Sequence, residues 1–137
     1  MKKFQISLLA ILFMYFCISL SSIGLSQDQP VLEVMDSAIC LNVENRACVD
    51  PKEEFSASVD RLYCFTRIAG APADTEVTHV WYYGDIERFR ITLPVRSSSY
   101  RTYSSKRIQA YETGGWRVEI LDSDGTLLKK IPFSIVQ

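Results

Sequence analysis

The chain alternates apolar and polar residues over much of its length, and this pattern predicts β-strands. Residues 88–93 alternate strictly, which places Phe89, Ile91 and Leu93 on one face of a half-buried strand. The run Trp116–Leu121 alternates in the same way. Asp124-Gly125 follows it and supplies the positive φ of a tight hairpin turn.

Turn residues divide the chain into seven predicted strands with almost no helical periodicity between them. The strands are Leu32–Leu41, Arg61–Ile68, Glu76–Tyr83, Arg88–Leu93, Tyr100–Ile108, Trp116–Leu121 and Thr126–Val136. The polar stretch Glu44–Glu54 is predicted to be a loop, and Pro132 predicts an edge position or a bulge in the last strand. We expect one all-β domain over residues 31–137, an antiparallel β-sandwich of immunoglobulin-like size, after a short linker over residues 27–30.

The first 26 residues have the pattern of a secretory signal peptide. Lys2 and Lys3 precede the uncharged stretch Leu8–Leu20, and Gly24 and Ser26 are the small residues of a cleavage site before Gln27. This predicts a periplasmic or secreted protein. The alternative is an uncleaved N-terminal anchor, since residues 4–25 are long enough to span a bilayer, and only then would the protein contact a membrane.

Net charge and the absence of catalytic motifs limit the classes of function that the sequence supports. The 137 residues hold 15 Lys plus Arg and 16 Asp plus Glu, and removal of residues 1–26 leaves 13 basic and 16 acidic side chains. A net charge of −3 argues against a nucleic-acid partner. The chain has one histidine and no nucleophile elbow, HExxH or phosphate-binding loop, so the sequence defines neither a reaction nor a cofactor.

Three cysteines, Cys40, Cys48 and Cys64, remain after residue 26, and export makes them disulfide candidates. Cys40 and Cys64 lie in predicted strands, where a bridge between neighbouring strands is feasible, while Cys48 lies in the predicted loop and would be free. A Cys40–Cys48 bridge is the second possibility. A zinc site of these cysteines with His79 lacks any CxxC or HxxxH spacing.

Two predicted strands carry candidate ligand-binding residues. Val77, His79, Trp81 and Tyr83 share one face, which forms either an aromatic platform for a sugar or peptide or the core of the sandwich around its tryptophan. The strand from Tyr100 has no apolar face, because Arg101, Tyr103, Ser105 and Arg107 alternate with Thr102, Ser104 and Lys106. With Arg88, Arg90 and Arg96 these side chains predict either a cationic surface for a carboxylate or phosphate, or charges that protect a sheet edge.

A set of motifs in order resembles a small bacterial domain, the domain of unknown function 2914. The motifs are Cys40-x-x-Val43-x-x-Arg46, Leu62-Tyr63-Cys64-Phe65-Thr66, His79-Val80-Trp81-Tyr82-Tyr83, Leu93-Pro94-Val95, Arg101-Thr102-Tyr103-Ser104-Ser105-Lys106 and Gly115-Trp116-Arg117-Val118-Glu119 with Asp124-Gly125. The resemblance covers about residues 36–136 and departs at Cys48 and Tyr100. It implies an exported or membrane-attached protein and a Cys40–Cys64 disulfide, and it marks His79, Trp81, Arg101, Ser105 and Lys106 as motif positions. The family brings no known activity.

We therefore expect an exported, non-catalytic binding module of the bacterial cell envelope. Its predicted ligand-binding residues are His79, Trp81, Tyr83, Arg101, Tyr103, Ser105 and Lys106. The predicted partner is an envelope ligand or protein, with an anionic group as the favoured chemistry. An envelope enzyme acting on carbohydrate or peptide, and a purely structural envelope protein, are the alternatives.

Overall fold

The computed structural model describes residues 32–137 and contains nine β-strands within them. The strands are β1 (Glu33–Glu44), β2 (Ala47–Pro51), β3 (Glu54–Ser56), β4 (Arg61–Ala69), β5 (Thr75–Tyr83), β6 (Ile86–Val95), β7 (Ser99–Arg107), β8 (Gly114–Leu121) and β9 (Leu127–Val136). The predicted signal peptide and linker lie outside the described residues. All seven strands predicted from the alternation are present.

The strands form the two sheets of a β-sandwich, which confirms the predicted fold. The first sheet has four strands in the order β2-β1-β4-β7, and the second has five in the order β3-β9-β8-β5-β6. All pairs are antiparallel except β3 with β9. Strand β7 is an edge strand of the first sheet, as its lack of an apolar face suggested.

Strand β2 lies within the stretch Glu44–Glu54 that was predicted to be a loop, and β3 begins at its last residue, so that prediction is wrong. Asn45 and Arg46 both have positive φ and turn the chain from β1 into β2. Strand β3 is three residues long and contributes the buried Phe55. Both strands lie at sheet edges, where each pairs with a single neighbouring strand. Such a strand does not need the alternation of apolar and polar residues on which sequence prediction depends.

Aromatic side chains from the five-stranded sheet form the centre of the core. Phe133 packs edge-to-face against Trp81 with ring centroids 6.0 Å apart and stacks on Trp116 at 5.9 Å. Pro132, beside it, lies in a part of β9 that pairs only with β8, because the pairing with β3 begins at Ser134. Proline therefore removes no ladder hydrogen bond on that open side, in agreement with its predicted edge position.

The disulfide joins Cys40 to Cys48, with their Cα atoms 5.7 Å apart, so the predicted Cys40–Cys64 bridge is wrong. Strand pairing explains why. Ile39 lies opposite Cys64 and Cys40 lies opposite Tyr63, which places the side chains of Cys40 and Cys64 on opposite faces of the sheet. Cys64 points into the core, where it is a buried free thiol.

Candidate functional site

The histidine of the predicted aromatic platform lies in the core. His79 and Trp81 are both 0 % exposed. The Nδ1 atom of His79 lies 2.7 Å from Ser104 Oγ, and its Nε2 atom lies 3.2 Å from Thr66 Oγ1. Trp81 Nε1–H donates to Ser104 Oγ at 3.0 Å. Neither ring therefore forms a surface for a ligand, and the core alternative for this strand is the one observed.

These bonds fix the tautomer of His79. Because Trp81 donates to Ser104, the serine hydroxyl is free to donate its own hydrogen to Nδ1 of His79. Nε2 then carries the proton and donates to Thr66 Oγ1, and Thr66 donates to the carbonyl of Thr102 at 3.5 Å. Each hydrogen in the chain has one acceptor, so the network joins the two sheets with neutral groups only.

Burial lowers the pKa of His79 from 6.5 to about 4. A second proton would sit on Nδ1, where Ser104 Oγ already accepts from Trp81, and no carboxylate is hydrogen-bonded to the ring. This geometry does not support an enzyme that uses His79 as an accessible general base.

Tyr83, the third platform residue, also has an internal role. Its ring lies 4.9 Å from that of Trp116, and its hydroxyl donates to the carbonyl of Thr113 at 2.7 Å. The adjoining Glu112 is 1 % exposed and accepts hydrogen bonds from Arg88 at 2.6 Å and from the backbone N–H of Gln109 at 2.9 Å. Tyr83 thus helps to hold the loop between β7 and β8.

Two arginines predicted for the cationic surface are in ion pairs on the other sheet. Arg88 of β6 pairs with Glu112, and Arg90 of β6 pairs with Glu87 at 2.7 Å. Both arginines are therefore partnered by carboxylates of their own and are not free cations beside those of β7, as the prediction had them.

The outer face of the four-stranded sheet carries the remaining predicted side chains and several that the sequence did not point to. We call it the arginine–tyrosine face; its members are Arg61, Tyr63 and Arg67 of β4 and Arg101, Tyr103, Ser105 and Arg107 of β7. Arg101 and Arg107 are exposed, and Tyr103 is 50 % exposed. Arg101, Tyr103 and Ser105 are thus brought together as predicted.

Two pairs of arginines lie directly across from one another on this face. Arg61 is the Cα partner of Arg107, and Arg67 is the Cα partner of Arg101. Six residues of strand separate the pairs, or about 20 Å. Between them the rings of Tyr63 and Tyr103 lie 6.3 Å apart at 55°.

Few acidic groups balance these arginines. Asp60 lies 3.3 Å from Arg107, and both side chains are well exposed. Asp36 is the strand partner of Arg67 but forms no ion pair with it. Within residues 32–137, Arg67 and Arg101 form no ion pair at all, while Arg61 donates to Ser105 Oγ at 3.0 Å.

Lys106, the last predicted residue, lies in register with Leu62 rather than with the arginines. Because side chains alternate, it belongs to the opposite side of β7 from Tyr103. Its Nζ donates to the carbonyl of Arg107 at 2.8 Å. It therefore lies at the rim of the sheet and not on the arginine–tyrosine face.

A pocket of about 220 Å³ opens on the arginine–tyrosine face. It is lined by Arg46, Phe65, Tyr100, Arg101, Thr102 and Tyr103. A larger cleft of about 410 Å³ lies between β1 and β9 and involves none of the predicted site residues. It is lined by Ser37, Ala38, Ile39, Pro51, Lys52, Glu53, Lys129, Lys130, Ile131 and Pro132.

The described part of the chain shows two further features that bear on function. Residues 32–137 contain no helix that is long and apolar enough to cross a bilayer. Its His, Cys, Asp and Glu side chains form no group of three suited to holding a metal ion, in residues 32–137.

The fold and surface define a small disulfide-bridged β-sandwich domain with a polar core network and a cationic outer face. Residues 74–135 match the family described as Protein of unknown function (DUF2914), which supports the family resemblance that the motifs indicated. The match spans β5 to β9 and therefore includes Arg101 and Tyr103, while Arg46, Phe65 and the disulfide precede it. No curated protein matches the chain.

Proposed function

We propose that the protein is an exported, non-catalytic binding module of the bacterial cell envelope that takes an anionic ligand on its arginine–tyrosine face. The observation that carries the proposal is that two pairs of arginines are direct cross-strand partners, Arg61 with Arg107 and Arg67 with Arg101. Guanidinium groups bind carboxylate and phosphate oxygens through paired hydrogen bonds. Like charges directly opposite one another destabilise a sheet, so stability does not account for this arrangement.

Protection of a sheet edge does not account for it either. Charged side chains on an edge strand prevent pairing with other chains, and this explanation is sufficient for Arg101 and Arg107 of β7. Arg61 and Arg67, however, lie on β4, which has β1 on one side and β7 on the other. An internal strand has no edge to protect, which favours a ligand as the reason for its two arginines.

Export is supported by two separate features. The first 26 residues have the pattern of a signal peptide. The Cys40–Cys48 disulfide is a bond of the kind that persists in oxidising compartments such as the periplasm.

The test measures binding of the purified protein to a generic polyanion, dextran sulfate. Binding is measured by titration calorimetry at several salt concentrations. We expect neutral dextran not to bind. The double variant Arg67→Gln/Arg101→Gln should weaken binding roughly tenfold or more, because each charge-assisted hydrogen bond contributes about 1.5–3 kcal/mol.

The matched control is Lys129→Gln/Lys130→Gln, which removes the same charge from exposed positions on β9 of the other sheet. Its affinity should stay within about twofold of that of the parent, a margin far below one charge-assisted bond. Equal weakening in the two double variants would mean that only net charge matters, and the proposal would then be abandoned.

A further inference from the structure

The pocket on the arginine–tyrosine face joins two guanidinium groups to two aromatic rings. Arg46 and Arg101 contribute the charge, and Phe65 and Tyr103 contribute the rings. Phe65 is the strand partner of Tyr103 and is only 6 % exposed, although its neighbours on the same face of β4 are more accessible. Phe65 therefore lies at the floor of the pocket and Tyr103, half exposed, forms a wall.

Arg46 reaches this pocket because the hairpin of β1 and β2 bends over the sheet. Strand pairing places Cys48 opposite Val43, three residues from Cys40 along β1. In a flat ladder that offset corresponds to roughly 11 Å between the two Cα atoms, whereas they are 5.7 Å apart. Cys40 shares the outer face with Tyr63, so the bend is toward that face.

The disulfide holds the hairpin in this position. Cys40 is 0 % exposed although it points away from the core, which is consistent with cover by the hairpin that carries Cys48. Arg46 follows the tip residue Asn45 and is exposed, with no ion pair in residues 32–137. The bridge thus places an unpaired cation over a buried aromatic ring.

We infer that this pocket, with Arg46 positioned by the Cys40–Cys48 disulfide, binds one carboxylate-bearing sugar residue of an acidic polysaccharide. The inference rests on the proposed function and names its ligand class. Two guanidinium groups match the two oxygens of a carboxylate. The ring faces of Phe65 and Tyr103 carry negative π density, to which the C–H groups of a sugar ring are attracted.

Size and placement favour a single sugar residue over other acidic ligands. The volume of about 220 Å³ lies below the ~300–1,000 Å³ that drug-sized molecules require. An acidic peptide would gain most by pairing with the free edge of β7 through backbone hydrogen bonds. The arginines lie on the face of the sheet instead, where side chains alone make the contacts.

The test uses titration of the purified full chain with trigalacturonate. Four other ligands are compared with it. One is a galactose trimer, which is its neutral counterpart, and the others are inorganic phosphate, a glutamate oligopeptide and dextran sulfate. We expect trigalacturonate to bind most tightly of the three small anions and the galactose trimer not to bind. Arg46→Gln and Arg101→Gln should each weaken trigalacturonate binding roughly tenfold, the effect of one charge-assisted hydrogen bond.

Two further variants separate positioning from charge. Cys40→Ser/Cys48→Ser should weaken trigalacturonate binding as much as Arg46→Gln does, although Arg46 is present, while circular dichroism verifies that the sandwich is folded. Lys52→Gln, at an exposed residue outside the pocket, should leave the affinity unchanged. If the cysteine variant does not fold, the affinity of Arg46→Gln for trigalacturonate still tests the inference, because this variant keeps the disulfide.

The outcomes distinguish this inference from the proposed function. If dextran sulfate binds through Arg67 and Arg101 but trigalacturonate does not bind, the sugar subsite is wrong and the anionic surface stands. Tighter binding of phosphate or the glutamate peptide overturns the sugar assignment in the same way. If neither polyanion nor trigalacturonate binds, both proposals fail.

Discussion

His79 combines a titratable ring with a fully buried position, and this has a consequence for stability in acid. Its pKa is lowered from 6.5 to about 4 by burial. Above pH 6.5 the ring is neutral in the folded and unfolded chains, and its contribution is complete. Between pH 6.5 and pH 4 only the unfolded chain takes up the proton, so stability falls as the pH falls.

We predict that the free energy of unfolding decreases by up to about 1.4 kcal/mol per pH unit over this window on account of His79, and by about 3 kcal/mol in total. His79→Gln should remove this part of the slope, because an amide keeps one donor and one acceptor but does not titrate. Denaturant unfolding of both proteins at pH 7, 6, 5 and 4.5 measures the difference.

A direct control is available because His79 is the only histidine in the chain. Its ring proton resonances should show no titration in the folded protein between pH 7 and pH 5. A midpoint near pH 6.5, or identical pH slopes for the parent and His79→Gln, would contradict the buried neutral network.

Glu112 is the second buried group that titrates in acid. Burial alone raises its pKa, but the hydrogen bonds from Arg88 and from the Gln109 backbone, together with the charge of Arg88, outweigh burial, and its pKa is lowered. The ionised carboxylate therefore stabilises the fold above its unfolded pKa, and this stabilisation is lost as the pH falls through the lower, folded value.

Arg88→Met should move the acid-unfolding midpoint to higher pH, because Glu112 loses a partner bonded at 2.6 Å and is left buried. Arg90→Met is the matched control, since Arg90 pairs with Glu87 at the surface and such pairs contribute little. Circular dichroism during acid titration provides the midpoints. Equal shifts in the two variants would show that the Arg88–Glu112 pair has no special role.

The hairpin of β1 and β2 depends on its disulfide for its position and part of its stability. The two cysteines are eight residues apart in sequence. For a closed loop of this length, the loss of chain entropy in the unfolded state predicts about 2–3 kcal/mol of stabilisation. We expect Cys40→Ser/Cys48→Ser to lower the free energy of unfolding by that amount, as measured by denaturant titration under non-reducing conditions.

The pairing itself is checked by mass spectrometry of the non-reduced protein, which should yield a Cys40–Cys48 peptide. Cys64 should resist alkylation by iodoacetamide in the folded state and react fully in denaturant, because the thiol is buried and burial raises its pKa. A Cys40–Cys64 or Cys48–Cys64 peptide would refute the observed pairing.

Local alternation was sufficient to predict the strands that have one apolar face. It placed Trp116, Val118 and Ile120 inward correctly, since all three are buried. It did not predict β2 or β3, which are only five and three residues long and lie at sheet edges. The edge position of β7 was predicted because a strand without an apolar face has few other places in a sandwich.

The candidate site was less accessible to sequence reasoning, because it depends on which strands are neighbours. Arg61, Tyr63 and Arg67 alternate along β4 and could have been assigned to one face from the sequence. That they lie beside Arg101 and Tyr103 follows from the β4–β7 pairing, which spans about forty residues of chain. The polar partners of His79 were hidden for the same reason, since Ser104 and Thr66 come from the opposite sheet.

Charge is distributed unevenly over the surface of the molecule. The chain is acidic overall, yet Arg61, Arg67 and Arg101, which form no ion pair within residues 32–137, lie together on the outer face of one sheet. Such a distribution attracts anions to one side of a protein and makes their association depend on ionic strength. For this reason the salt series in the polyanion experiment is part of the test, since binding governed by this face should weaken as salt increases.

The place of β9 in the sheet has a consequence for when the protein can fold. This strand lies between β3 and β8 and brings Ile131, Phe133 and Ile135 into the core. A nascent chain that has been synthesised only as far as residue 126 has no partner for β3 and no ring between Trp81 and Trp116. The five-stranded sheet and its core can therefore be completed only after β9 has been synthesised, and an incompletely folded chain is the state that the proposed export through a secretion channel requires.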